Sequence, residues 1–354
     1  MQIKSLYSKN FRNLDVDIDN FSDEMNIICG ENAQGKTNLL EALWLFTGAK
    51  SFRSGNESNF IKFGENKGII KTEFISGGVK NTAKMEFSEK RTAYFNDKAL
   101  QNPSKLAGKF NAVIFTPDDI SIVRDGPEKR RRFLDLNIGQ IFPQYIEILR
   151  DYLRAVKQRN EIIKNLRYDS TAGLMLDSFE ETIAEKGEII KDYRKKYVLL
   201  LNDNLFSIYN GLSSGREEIY LSYFEKNGEK PLIDTLIEKR KEDVFTGKTS
   251  VGPHRDDLDI RINGISARSF GSQGQKRSVA LSLKLASAEV IRGKTGEYPV
   301  CLLDDVMSEL DEKRQNYILN HISGWQSFIT CCDEATVSRL KRGKIIEIKN
   351  GETV

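Results

Sequence analysis

The stretch "IICGENAQGKTNLLEALWLF", residues 27–46, decides the fold. Ile27 and Ile28 read as the end of a buried strand. They run into Gly30-Glu31-Asn32-Ala33-Gln34-Gly35-Lys36-Thr37, and an apolar, helix-forming run follows. This is G-x-x-x-x-G-K-[ST] in its required strand–loop–helix setting, a loop that cradles a nucleotide polyphosphate. Backbone N–H groups from Asn32 to Thr37 are expected to face the phosphates at the positive end of the helix. Lys36 is expected on the β- and γ-phosphates, and the Thr37 hydroxyl on Mg²⁺. The loop alone does not separate a kinase, a GTPase, a transporter motor and an ATPase acting on DNA.

The whole chain narrows the field. Its 354 residues, 30% charged and 39% hydrophobic, suit a soluble globular protein with room for two packed lobes. No apolar run approaches the length of a membrane-spanning helix. "MQIKSLYSKNFRNLDVDID" (1–19) alternates apolar and polar residues and lacks the apolar core of a secretory signal, so a cytoplasmic location is expected. Cys29, Cys301, Cys331 and Cys332 form no C-x-x-C pair, and only two histidines are present. The cysteines therefore read as reduced core residues and not as a zinc site. A net charge of +3 is small for a nucleic-acid binder. A DNA partner would require a local basic patch or assembly.

Periodicity divides the chain into an α/β nucleotide lobe interrupted by a mainly helical one. "LDVDID" (14–19) alternates as a half-exposed strand, and "MNIIC" (25–29) is dense enough for a buried one. Residues 69–100 read as antiparallel hairpins broken by "GG" and "ND". "NAVIFTPDD" (111–119) is a buried strand stopped by Pro117. Helical spacing begins near Pro127, with Tyr145, Leu149, Tyr152 and Val156 on one face and a further helix from Leu176 toward Leu205. No heptad seam persists, which excludes a long coiled coil. Strand and loop character returns after about 246. The expected layout is an ATPase lobe in two parts, 1–120 and 246–354, around a mainly helical lobe, 121–245.

Two further stretches carry chemistry. In "PVCLLDDVMSELD" (299–311), a buried strand delivers Asp304 and Asp305 to its C-terminal end. Asp304 is expected to hold Mg²⁺ through its water shell, and Asp305 to polarise the attacking water. In "FGSQGQKRSVALSLKLASAEVI" (270–291), Ser272, Gln273, Gly274 and Gln275 stand at the start of a helix. A serine hydroxyl and a glycine N–H at a helix N-terminus make an anion site. A plain turn capping an ordinary helix would look the same. The order of phosphate loop, S-x-G-Q and acidic strand favours the second anion site, used in trans if each of two copies closes over the nucleotide of the other.

The chain resembles the RecF family, bacterial recombination-mediator ATPases related to the heads of the chromosome-maintenance (SMC) proteins. The resemblance runs almost end to end, through "NFRNL" (10–14), "GENAQGKTNLLEAL" (30–43), "KSFR" (50–53), "FTPDDI" (115–120), "GPEKRRRFLD" (126–135), "VGPHRDDL" (251–258), "SQGQKRS" (272–278) and "LLDDVMSELD" (302–311). It implies a P-loop fold of ATP-binding-cassette type with a helical lobe and no coiled-coil arm. It also implies ATP-dependent dimerisation on double-stranded DNA or gap junctions, slow hydrolysis, and work with RecR and RecO in loading the RecA recombinase. Asp311 falls in the loop that such proteins use across the dimer. The chain departs from the wider cassette class at Asp305, where a glutamate is usual, and at Thr330, where that class carries a switch histidine. A transporter's cytosolic ATPase is the alternative, and it leaves "VGPHRDD" unexplained.

The softer candidates are Arg12 and Arg53 for phosphate contact, and Lys129-Arg130-Arg131-Arg132 for DNA. A solvated helix face would explain the basic run equally. His254 reads as structural.

Overall fold

Met25–Cys29 forms the strand that feeds the phosphate loop, and Lys36–Leu45 forms the helix behind it. These elements belong to a computed structural model that describes residues 1–53, 57–165, 176–213, 217–228, 230–331 and 343–354. Cys332 lies outside the described residues. The chain divides into two units, one of residues 1–120, 210–215 and 278–354, the other of residues 121–209 and 216–277.

The first unit holds two six-stranded sheets. One is largely parallel, in the order Glu352–Thr353, Lys344–Lys349, Met25–Cys29, Ser327–Cys331, Val300–Leu303, Ala112–Phe115. Ser327–Cys331, Val300–Leu303 and Ala112–Phe115 are buried on both faces, as a parallel sheet covered on two sides requires. The other is antiparallel, in the order Leu14–Asp19, Gln2–Phe11, Gly68–Ser76, Val79–Phe87, Thr92–Phe95, Lys98–Ala99. Two of its hairpins turn at Gly77-Gly78 and at Asn96-Asp97, all four residues at positive φ. That is the two-residue turn whose twist matches the strands, and the "GG" and "ND" breaks announce it.

Helix Lys36–Leu45 contacts strands of both sheets, Gln2–Phe11 and Ser327–Cys331. Leu39, Leu40, Leu43 and Leu45 are fully buried. Phe46 follows and meets Phe110 edge-on, as Phe74 of the antiparallel sheet also does. Truncating Leu43 to alanine would cost about 2–5 kcal/mol. The phosphate loop is thus anchored to a helix held on both sides. Cys29 and Cys331 face each other across paired strands with sulfurs 3.6 Å apart, and Cys301 is buried.

The second unit contains the helices Pro127–Ile141, Pro143–Asn165, Leu176–Ser213 (down to its last turn) and Leu232–Thr246, and a three-stranded antiparallel sheet. Its interior is wired by buried ions. Arg159 donates to Glu180 at 2.8 Å and to Asp243 at 2.7 Å, all three side chains fully buried. Arg194 binds Asp135 and the carbonyl of Pro253. Removing one partner of such a set typically costs about 3–5 kcal/mol, because the remaining charge stays buried. Residues 246–277, which their loop and strand character assigned to the ATPase lobe, group with this unit. Asp257–Ile262 pairs with Ile219–Phe224, a long-range pairing that periodicity does not register. No coiled-coil arm occurs among the described residues.

Candidate nucleotide site

In the parallel sheet, Ser327–Cys331 stands between the strand that feeds the loop and Val300–Leu303. All three run the same way, so their C-terminal ends bring residues 30–37, Thr330 and Asp304 to one edge. Thr37 Oγ1 donates to Asp304 Oδ1 at 2.9 Å, and Thr330 Oγ1 donates to the same oxygen at 3.1 Å. Asp304 is 8% exposed. Burial pushes its carboxyl above the usual carboxylate range, and the two hydroxyls only partly offset that. A desolvated carboxylate beside a threonine hydroxyl is a hard-oxygen donor set. It fits Mg²⁺, which takes few protein oxygens and shares the rest of its shell with water and phosphate.

Lys36 is buried, and its Nζ donates to Gly30 O at 2.6 Å and Glu31 O at 2.7 Å. Two of three ammonium donors are used, so one is left for an anion. Gly30, at φ 148, would place a Cβ 2.3 Å from the carbonyl of Ile348, so no other residue fits. The turn after Lys344–Lys349 also braces the loop: Gly351 N donates to Gln34 O at 2.8 Å, and Asn350 N donates to Gln34 Oε1. The Gln34 side chain is therefore turned to this brace, and only its backbone N–H remains for phosphate.

Arg53 lines the same cleft, a space of about 360 Å³ that includes Lys36, Thr37, Asp304 and Asp305. Its Nη1 donates to Asn38 Oδ1 at 2.6 Å. Arg12 does not line the cleft. Its guanidinium grips Glu41, a fully buried carboxylate on the loop helix, through Nε and through Nη2 at 2.8 Å. The sequence pattern did not single out Glu41 or Asn38, and marked Thr330 only as the position of a missing histidine. A single acid within "NLLEALWLF" was the available signal, because a charge on a helix that is apolar all round must find a partner.

Asp305 is exposed at the cleft and sits at φ 52. Asp and Asn tolerate that left-handed backbone better than other side-chain-bearing residues. This gives a local reason for aspartate where the wider class carries glutamate. Ser308 Oγ donates to its Oδ1 at 3.1 Å.

In the second unit, Ser272 caps the helix Gln273–Thr295 reciprocally: Gln275 N donates to Ser272 Oγ at 3.2 Å, and Ser272 N to Gln275 Oε1 at 2.7 Å. Ser272 and Gln273 are exposed, and Gly274 is half-buried. Asp311 caps the helix Glu312–His321, accepting from Arg314 N at 3.0 Å, and that hydrogen bond holds its carboxyl below the usual range.

The basic run does not present one face. Arg130 is 3% exposed and doubly bonded to Asp257 at 2.7 and 2.9 Å. Arg131 donates to the carbonyl of Asp256 at 2.8 Å. Lys129 is half-buried, and Arg132 is exposed. Arg130 is thus a structural ion, spent on Asp257 within the second unit. His254 is internal wiring as well. Its Nε2 faces Thr249 O at 3.2 Å, so that nitrogen carries the proton and Nδ1 accepts from Tyr152 Oη at 2.5 Å. Burial lowers its pKa to about 4.

A loop helix carried between a parallel and an antiparallel sheet, with the acidic strand two places from the loop strand, is the architecture of P-loop ATPase heads of ATP-binding-cassette and SMC type. An SMC head from Pyrococcus furiosus shares this fold at a TM-score of 0.55 and 18% identity, over 99% of this chain and 95% of that one. The family model described as "RecF/RecN/SMC N terminal domain" matches residues 2–353. The DNA replication and repair protein RecF of Clostridium acetobutylicum is 37% identical over 99% of both chains. That of Bacillus cytotoxicus is 38% identical over 99% of this chain and 98% of its own. A solved structure of the recombination mediator RecF with ATP, from the RecFOR pathway, superposes at a TM-score of 0.93 with 34% identity, covering 100% of this chain and 97% of that one. The chain belongs to the RecF family.

Proposed function

We propose that the chain is an ATP-driven clamp of DNA repair and replication: ATP and Mg²⁺ join two copies head to head on double-stranded DNA or a gap junction, and slow hydrolysis parts them. The observation that carries this reading is the convergence of Lys36, Thr37 and Asp304 at one sheet edge, in a chain that also presents a capped Ser272 helix start. Family membership supplies the DNA, RecR, RecO and RecA side of the proposal.

The residues divide the work. Backbone N–H groups of residues 32–37 and the third donor of Lys36 bind the β- and γ-phosphates. Thr37 and Asp304 would hold Mg²⁺, which would supply positive charge against the phosphates. Asp305, on the exposed side, orients the attacking water. Ser272 Oγ accepts from Gln275 N, which leaves its O–H to donate to the γ-phosphate held by the other copy, with the Gly274 N–H beside it. Loss of that phosphate removes the bridge.

The test is sedimentation with a nonhydrolysable ATP analogue, with and without duplex DNA. A dimer that forms only with nucleotide is expected. A chain that stays monomeric under every condition would sink the mechanism.

A further inference from the structure

No residue of "VGPHRDD" (251–257) lines the nucleotide cleft. Most of it is spent internally: His254 on Tyr152, Asp256 on Tyr223 and Lys226 N, Asp257 on Arg130. Arg255 is the exception, because it is exposed. The turn before it is tight. Gly252 has φ 111, and a Cβ there would lie 2.5 Å from Tyr152 Oη. Arg255 N donates to Gly252 O at 2.7 Å, and its Nε to Thr249 O at 3.0 Å. With Nε fixed, both Nη groups point onward as a fork.

That fork opens on a pocket of about 290 Å³ within the second unit. Lys157 and Lys164, seven residues apart on one helix face, line it with Lys248. Val156, Leu153 and Gly247 supply its apolar floor. Among the described residues, Glu161 is the one carboxylate in the lining, and it is bound to Lys164 at 3.4 Å. Lys157 and Lys248 make no side-chain hydrogen bond or ion pair among the described residues. Four cations against one acid repel one another unless an anion joins them. A prepositioned guanidinium fork with flanking ammonium groups matches a phosphate, which takes arginine in a bidentate way. The volume suits a phosphate or a sugar-phosphate and is at the low end for a larger ligand.

We infer that this pocket, framed by Arg255, Lys157, Lys164 and Lys248, is a second phosphate-binding site, separate from the nucleotide loop. Its phosphate is carried by a nucleic-acid strand or is free in solution. The strand source rests on the proposed action on DNA; the site itself does not.

The experiment is lysine acetylation footprinting of the full chain without nucleotide, read by mass spectrometry. The probes are a 30-base-pair duplex and, separately, sodium pyrophosphate. Lys241, exposed and outside the pocket, is the reference. Several-fold slower acetylation of Lys157 and Lys248 relative to Lys241 is expected. Protection by the duplex assigns a strand phosphate, and protection by pyrophosphate alone assigns a free one. Protection by neither overturns the site. If the duplex protects, a Lys157→Ala/Lys248→Ala variant should flatten the log–log salt dependence of duplex binding by about two, roughly one per lysine. An unchanged slope would remove the strand contact. Failure of nucleotide-dependent dimerisation would sink the clamp mechanism and leave the footprint untouched.

Discussion

Thr37 and Asp304 stand 267 positions apart in the chain, and their hydroxyl and carboxylate oxygens are 2.9 Å apart. The contact places a buried acid where only a cation or a proton relieves it. Asp304→Asn should weaken Mg²⁺-dependent nucleotide binding roughly ten- to hundred-fold, the usual effect of losing a group that orients a metal's shell. Magnesium titration with a fluorescent nucleotide measures it. Without metal, the same variant should melt higher, because the charged form of Asp304 is disfavoured by burial. A lower melting point would contradict the desolvation argument.

The sign of the pH effect follows. The folded carboxyl titrates above its unfolded value, so protons compete with Mg²⁺ at a higher pH than for an ordinary carboxylate. Apparent Mg²⁺ affinity should fall as pH drops from neutrality toward the carboxylate range, and Asp304→Asn should flatten that dependence. An unchanged profile would place the proton elsewhere.

Ser272 both caps a helix and is proposed to act in trans, and two substitutions separate the roles. Ser272→Ala should cost about 1 kcal/mol of stability through loss of the cap. Ser272→Asp keeps a capping oxygen but sets a negative charge where a γ-phosphate would arrive. It should bind ATP normally, melt like the parent chain and remain monomeric in sedimentation. A Ser272→Asp dimer would remove the trans contact.

Asp305→Asn retains a side chain that accepts the left-handed backbone at φ 52. It should therefore fold unchanged and slow single-turnover hydrolysis about a hundred-fold or more, holding the ATP dimer on DNA. Parent-like turnover would show that Asp305 does not orient the water. Asp305→Ala would mix strain with chemistry and makes a poorer test.

His254 predicts an acid weakness. Its folded pKa of about 4 lies below the unfolded value of 6.5, so the unfolded chain binds the extra proton. The associated stability is complete above pH 6.5 and is lost as pH falls toward 4, by about 3 kcal/mol. Chemical denaturation at pH 7 and pH 5 reads the slope. His254→Gln should show a shallower one, and an equal slope would place the proton on another group.

How much of this was legible depended on sequence distance. Residues 27–46 announce strand, loop and helix because the signal is continuous. "GG" and "ND" announce their turns because each demands positive φ. The inward turn of Arg130 was illegible: a run of four cations does not say which face meets Asp257. The alliance of Arg12 with Glu41 was half legible, since the acid's isolation signalled a need for a partner and not which partner. The placing of residues 246–277 was hidden for the same reason, because their partner strand, Ile219–Phe224, lies beyond an intervening helix.

The brace on Gln34 has a consequence for synthesis. Asn350, which holds it, is encoded 316 positions later. A ribosome displays the whole phosphate-loop sequence long before the turn at Asn350 and Gly351 emerges. Until then Gly30 has no Ile348 carbonyl against it and Gln34 has no partner, so the growing chain carries the motif without its scaffold. The braced form of the loop is thus completed only by the last residues to be translated.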